Sequence, residues 1–162
     1  MRADRHVPGD DIPAALLWDF DGTLVASEDS WWRAEARLMA DWGFDWSEEQ
    51  ARDMVGNALR DTAAALMRLA GREGLDPDEY ADVLNTYALE DMLVTGVPWR
   101  PGADDLLFAA REAGVRCALV SATFERVLGS FVDTLPAGTF DVIVGGDAVV
   151  FGKPHPEPYL TA

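Results

Sequence analysis

The segment Ala14-Ala15-Leu16-Leu17-Trp18-Asp19-Phe20-Asp21-Gly22-Thr23-Leu24 constrains this 162-residue chain more than any other. A short apolar run closed by a glycine reads as a buried strand that ends at a tight turn. In open α/β sheets, ligands bind beyond the carboxyl ends of the strands. That rule puts Asp19 at a strand tip and Asp21 in the loop just after it. Gly22 lets the backbone turn sharply and approach a ligand with no Cβ in the way. A carboxylate held like Asp19 can attack a phosphoryl group and become an aspartyl-phosphate. One held like Asp21 can protonate the leaving oxygen and later deprotonate the attacking water. Asp and Gly are also common turn formers, so the same letters suit a plain strand-ending turn. The rest of the chain has to decide.

Charge narrows the choice. Twenty-nine acidic residues against 13 basic ones give a formal net charge of -16. A polyanion attracts neither nucleic acid nor an anionic membrane, so neither is expected as a partner. An anionic substrate would then need a metal ion or a focused positive site to approach. Lys153 is the only lysine, which singles that position out. The lone cysteine, Cys117, lies in an apolar run and reads as a small core residue in a reducing compartment. Residues 1–13 lack the apolar stretch and cleavage pattern of a signal peptide, and no run is long enough to span a bilayer. The expectation is a cytoplasmic protein. Its length and 49% hydrophobic content suit one packed domain with a modest insertion.

After a charged extension over residues 1–12 and the first strand, near 14–19, the pattern turns helical from about Ser30. Trp31, Ala34, Leu38 and Trp42 share one helical face, and Gly43 ends that helix. Ser47 and Gln50 have the spacing of a capping box, which opens a short helix to about Val55. Gly56-Asn57 breaks it. A third helix covers Ala58 to Ala70. Asp76-Pro77 then gives an N-cap and a first-position proline for a fourth helix, to about Val94. Further on come a helix from Ala103 to Ala113, a strand near 115–120, a helix from Phe124 to Leu135 and a strand near 140–144. Strands alternating with helices imply a parallel sheet whose strand tips share one edge. Asp19, Asp21, Ser121 and Lys153 could meet there. Ser121 offers a hydroxyl and nearby backbone N–H groups to a phosphate oxygen, and Lys153 offers a cation. His155, between prolines, reads as a loop residue, and His6 as part of the extension.

In this order the residues resemble the haloacid dehalogenase-like hydrolase superfamily. Asp19-Phe20-Asp21-Gly22-Thr23-Leu24 matches its first motif, Ser121 its second, and Gly152-Lys153-Pro154 with Pro156-Glu157 its third. The resemblance implies a Rossmann-like parallel sheet, here with three strands, built from residues 1–25 and 95–162. It also implies an α-helical cap at 26–94, as in phosphoglycolate phosphatases and β-phosphoglucomutases. By the same resemblance Asp19 is the nucleophile and a Mg²⁺ ligand. Asp21 is the acid/base and lends its carbonyl to the metal, while Lys153 and Ser121 hold the phosphate beside Gly22, Thr23 and Ala122. Trp31, Trp32, Asn57 and Arg60 are candidate cap contacts to substrate.

Branches of the family can be separated on these residues. Dehalogenases lack the second aspartate. Phosphonate hydrolases use a cap lysine, which is absent here. β-Phosphoglucomutases carry a cap histidine where this chain has Trp31, which makes a mutase the weaker alternative. The expected activity is Mg²⁺-dependent hydrolysis of a small phosphomonoester, of sugar phosphate or phosphoglycolate type. The family's fourth motif, an acidic strand tip, should follow some twenty residues after Lys153, and the sequence ends at Ala162 before it. A less active and less stable chain is therefore expected, with a free edge on the Asp19 strand open to self-association. A catalytically silent fragment that pairs with a partner is the competing expectation.

Overall fold

The computed structural model describes residues 12–96 and 98–162; His6 and nearly all of the expected charged extension lie outside them. Three apolar runs become strands: β1 (Ala15–Trp18), β2 (Arg116–Val120) and β3 (Val142–Val144). They form one parallel sheet in the order β1-β2-β3, with Leu17 opposite Ala118 and Leu119 opposite Ile143. Parallel neighbours cannot be joined by hairpins and need crossovers. The helical segments supply them. α1 (Glu28–Asp41), α2 (Glu48–Arg52), α3 (Leu59–Leu69) and α4 (Pro77–Thr95) follow β1, and α5 (Ala103–Glu112) leads into β2. α6 (Glu125–Val132) joins β2 to β3, and α7 (Glu157–Thr161) follows the Lys153 loop. Among the described residues the outer edge of β1 has no partner, and Leu17 on that strand is 47% exposed.

The helix ends follow local chemistry. Ser47 Oγ accepts the Gln50 N–H at 3.3 Å and Gln50 Oε1 accepts the Ser47 N–H at 3.0 Å, the reciprocal pair of a capping box. Asp76 Oδ1 accepts the Asp78 N–H ahead of α4, whose first residue is Pro77. Gly114, at φ +78°, lets the Val115 N–H return to the Ala110 carbonyl and closes α5. Two helices are shorter than expected. α2 stops at Arg52 because residues 53–57 tighten into turns, with Met54 bonded to Ala51 and Asn57 to Met54. α6 stops at Val132, and Thr134 and Leu135 close onto Phe131 and Val132. The short 3₁₀ turn Gly146–Ala148 was not foreseen, and it places Asp147 to accept the Glu125 N–H at the start of α6.

A main apolar core runs through sheet and helices, with a small second cluster of Ala118, Val120 and Val144 beside it. Phe20, Leu107, Leu119 and Leu128 fill the sheet side, and Leu38, Leu66, Leu84 and Ala88 fill the space among α1, α3 and α4. Arg33 forks onto both oxygens of Asp91 at 2.8 Å and ties α1 to α4. That fork, more than anything else, holds the Asp91 carboxyl below its ordinary range. Asn85 of α4 is fully buried, and among the described residues its amide finds no partner. The chain leaves for α1 and returns from α4 side by side: Ala26 N–H bonds the Pro98 carbonyl at 2.9 Å, and Arg100 N–H bonds Leu24 at 2.8 Å. No helix among the described residues is long and apolar enough to cross a membrane.

Candidate active site

Parallel strands deliver their last residues to one edge, and the candidate residues gather there. Asp19 follows β1 directly. Lys153, 134 positions later, donates from Nζ to Asp19 Oδ1 at 2.6 Å and to the Val120 carbonyl, at the tip of β2, at 2.8 Å. Thr23 Oγ1 donates to the other Asp19 oxygen at 3.1 Å. Gly22, at φ +70°, makes the turn between them, and its N–H bonds the Val25 carbonyl. The Asp19 side chain stays 40% exposed, open to a ligand in spite of the ion pair.

Asp21 is held by both layers. Ser27 Oγ and Trp31 Nε1, from the start of the helical layer, donate to Oδ1 at 2.6 and 2.7 Å. Ser121 Oγ and Thr123 Oγ1, from the loop after β2, donate to Oδ2 at 3.1 and 2.5 Å. Ser121 Oγ also accepts the Thr123 N–H at 3.0 Å, so in this arrangement its hydroxyl serves Asp21 and the turn. The sequence had not singled out Thr123 or Ser27. Both are hydroxyl residues flanking motif positions, which is the only signal that could have raised them.

A cavity of about 520 Å³ opens from these tips between the sheet edge and α1–α3. Asp19, Asp21, Gly22, Ser121, Ala122 and Lys153 line its floor, and Trp31, Trp32 and Asn57 line its walls. Arg60 does not belong there. Its guanidinium pairs with Asp78 at 2.7 Å, across the start of α4, and it is not among the lining residues. That pair is exposed on both sides, and in this arrangement Arg60 stands outside the cavity wall. Sequence reasoning also missed Glu35. It lies one helical turn after Trp31, lines the same cavity and is only 7% exposed. Burial pushes its carboxyl up to about 7, partly offset by Trp46 Nε1 donating to Oε2 at 3.0 Å.

The first and third sequence motifs thus meet across 134 residues in one ion pair at a cleft. The family model for haloacid dehalogenase-like hydrolases matches residues 16–162. The chain belongs to that family. Members similar to it include a phosphoglycolate phosphatase of Aquifex aeolicus, 29% identical over 90% of this chain and 66% of that protein. Hexitol phosphatase B of Escherichia coli K12 is 31% identical over 90% of this chain and 66% of its own length. A crystal structure of a CbbY mutant from Rhodobacter sphaeroides, in complex with xylulose-(1,5)bisphosphate, superposes with a TM-score of 0.80. It is 27% identical and covers 92% of this chain and 70% of CbbY. The chain spans from 56% to 69% of the length of the curated relatives it matches.

The family relationship implies Mg²⁺. Among the described residues no group of three or more His, Cys, Asp or Glu converges as a ready metal cage. Asp19 and Asp21, which line the cleft, offer hard oxygens there. Mg²⁺ commonly takes one or two carboxylates and keeps waters or substrate oxygens for the rest, so this donor set fits it.

Proposed function

We propose that the chain is a Mg²⁺-dependent phosphatase acting on a small phosphomonoester through an aspartyl-phosphate on Asp19. The Asp19–Lys153 pair in the floor of the cavity is the observation that carries this reading. In the first step an Asp19 oxygen attacks phosphorus and the bond to the leaving oxygen breaks. A protonated Asp21 delivers its proton to that oxygen. In the second step water attacks phosphorus, Asp21 takes the water's proton, and phosphate leaves as Asp19 is restored. Lys153 orients the nucleophile and offsets charge on the phosphoryl oxygens. The Asp19 carboxylate and the Asp21 carbonyl would hold Mg²⁺, which supplies the remaining charge neutralisation. Ser121, Ala122, Gly22 and Thr23 form the phosphate cradle.

Residues 26–94 act as a cap over a core of 1–25 and 95–162. Asp21 bridges the two, and it must give up Ser27 and Trp31 to reach a leaving group. Trp31 also bears on the mutase alternative. An indole N–H can only donate and carries no exchangeable base, so it cannot relay a proton as imidazole does. The hydrolytic reading needs no such relay. The negative charge of the chain supports a small metabolite as partner, with no nucleic acid or membrane, in the cytoplasm.

Hydrolysis of p-nitrophenyl phosphate with and without Mg²⁺ tests the proposal. Asp19→Asn should abolish turnover. Asp21→Asn should lower it on the order of 10²–10⁴-fold, the usual contribution of a positioned acid/base. Activity that survives Asp19→Asn would remove the nucleophile assignment.

A further inference from the structure

The walls of the cavity carry a chemical preference of their own. Beyond Lys153, the one cation lining it among the described residues is Arg52, an exposed side chain 3.6 Å from the likewise exposed Glu48 one helical turn away. Glu28 and Asp29, in the first turn of α1, line it as well. Deeper in, Glu35 is more than nine-tenths buried. Trp46 engages only its Oε2, and among the described residues Oε1 receives no hydrogen bond. Lys153 is committed to Asp19 and Val120. A substrate anchored at Asp19 by its phosphate would therefore extend its tail along the carboxylates of Glu28, Asp29, Glu35 and Glu48, set against the single guanidinium of Arg52.

We infer that Glu35 is a specificity-determining residue that accepts hydroxyl groups of a neutral, polyol-like tail and excludes tails bearing a second anion. The inference rests on the phosphatase reading above. The other walls suit the same tail. The faces of Trp31 and Trp32 offer apolar surface to C–H groups. Among the described residues the Asn57 amide makes only a 4.0 Å contact to Met54 Sδ and the hydroxyl of buried Thr62 of α3 has no partner, so both can pair with hydroxyls of the tail. About 520 Å³ is ample for a tail of sugar or alditol size. A carboxylate or second phosphate at this depth would meet like charge at short range in a site of low effective dielectric. That repulsion is worth roughly tenfold or more in kcat/KM. Several relatives bear names that point to anionic tails, a phosphoglycolate phosphatase and a bisphosphate-bound CbbY among them.

The test compares kcat/KM at pH 8, where Glu35 is ionised, for an alditol 6-phosphate, glycerol phosphate, 2-phosphoglycolate and a ketopentose bisphosphate. p-Nitrophenyl phosphate serves as the common reference. The expected order puts the two neutral tails roughly tenfold or more above the two anionic ones. Glu35→Gln keeps an acceptor for Trp46 and removes the charge, so it should shrink that ratio by raising the anionic substrates. Direct binding to the Asp19→Asn variant, read by quenching of the cleft tryptophans, should show the same order. Anionic tails equal to or better than neutral ones in the unmodified protein would overturn the inference and leave the phosphatase reading intact. So would a ratio unchanged by Glu35→Gln in a folded variant. Failure to hydrolyse any monoester, the reference included, would instead remove the phosphatase reading and this inference with it.

Discussion

Glu35→Gln makes a stability prediction independent of catalysis. The carboxyl is raised from 4.5 to about 7, chiefly by burial. Between those values the unfolded chain has released the proton while the folded chain keeps it. Folding stability therefore falls with rising pH, by about 1.4 kcal/mol per unit. The contribution is fully present below about pH 4.5 and lost by the time pH has passed 7, about 3 kcal/mol in all. Glutamine retains an oxygen for Trp46 Nε1 and does not titrate, so the difference between the two proteins isolates this group. Asp91 moves the other way. Arg33 depresses its carboxyl, so its contribution is present at neutral pH and lost only as pH falls below the usual carboxylate range. It is common to both proteins and cancels. Urea melts from pH 4.5 to 8.5 should show the variant gaining on the parent as pH rises, by about 3 kcal/mol at the alkaline end. In thermal melts this is several degrees, at about 2–4 °C per kcal/mol for a domain of this size. Parallel stability–pH curves for the two proteins would refute the reasoning.

Two further outcomes follow from packing. Asn85→Leu replaces a fully buried, unpartnered amide by an apolar group of similar size and should stabilise by about 1–2 kcal/mol; a lower melting temperature would show that the amide has a partner. The unpaired edge of β1 should support self-association, reduced by Leu17→Lys, and sedimentation of the unmodified protein as a monomer at all concentrations would refute that.

The fold was legible because its signals are local. The apolar runs at 14–19, 115–120 and 140–144 read as strands and became strands, and the capping box at Ser47 and the Asp76-Pro77 start are written in adjacent letters. Helix ends were less legible. Nothing in the stretch 53–55 distinguishes a last helical turn from the tightened turns that end α2 at Arg52. At the site, the family order of motifs brought Asp19 and Lys153 together on paper, and their side chains meet at 2.6 Å. The pairing of Arg60 with Asp78 was not legible, because Asp78 lies 18 positions away and becomes its neighbour only when α3 and α4 pack.

α1 shows why Glu35 escaped the sequence. Period 3.6 identifies the inward stripe of a helix and says nothing about what the inside contains. Trp31, Ala34 and Leu38 lie on that stripe; Ala34 and Leu38 meet hydrocarbon, while the Trp31 indole N–H meets the Asp21 carboxylate. Glu35 follows Trp31 by four residues and so shares its face. A charged letter at that position reads as the solvated side, and the reading fails because the far wall there is a cavity instead of a packed layer. Trp46 then makes the burial tolerable by donating to one oxygen, from a position 11 residues away that no helical period links to Glu35. A buried acid at an inward helical position is costly unless paired. Its presence beside the Asp19 cleft is therefore better explained by a ligand that uses its second oxygen than by the core it interrupts.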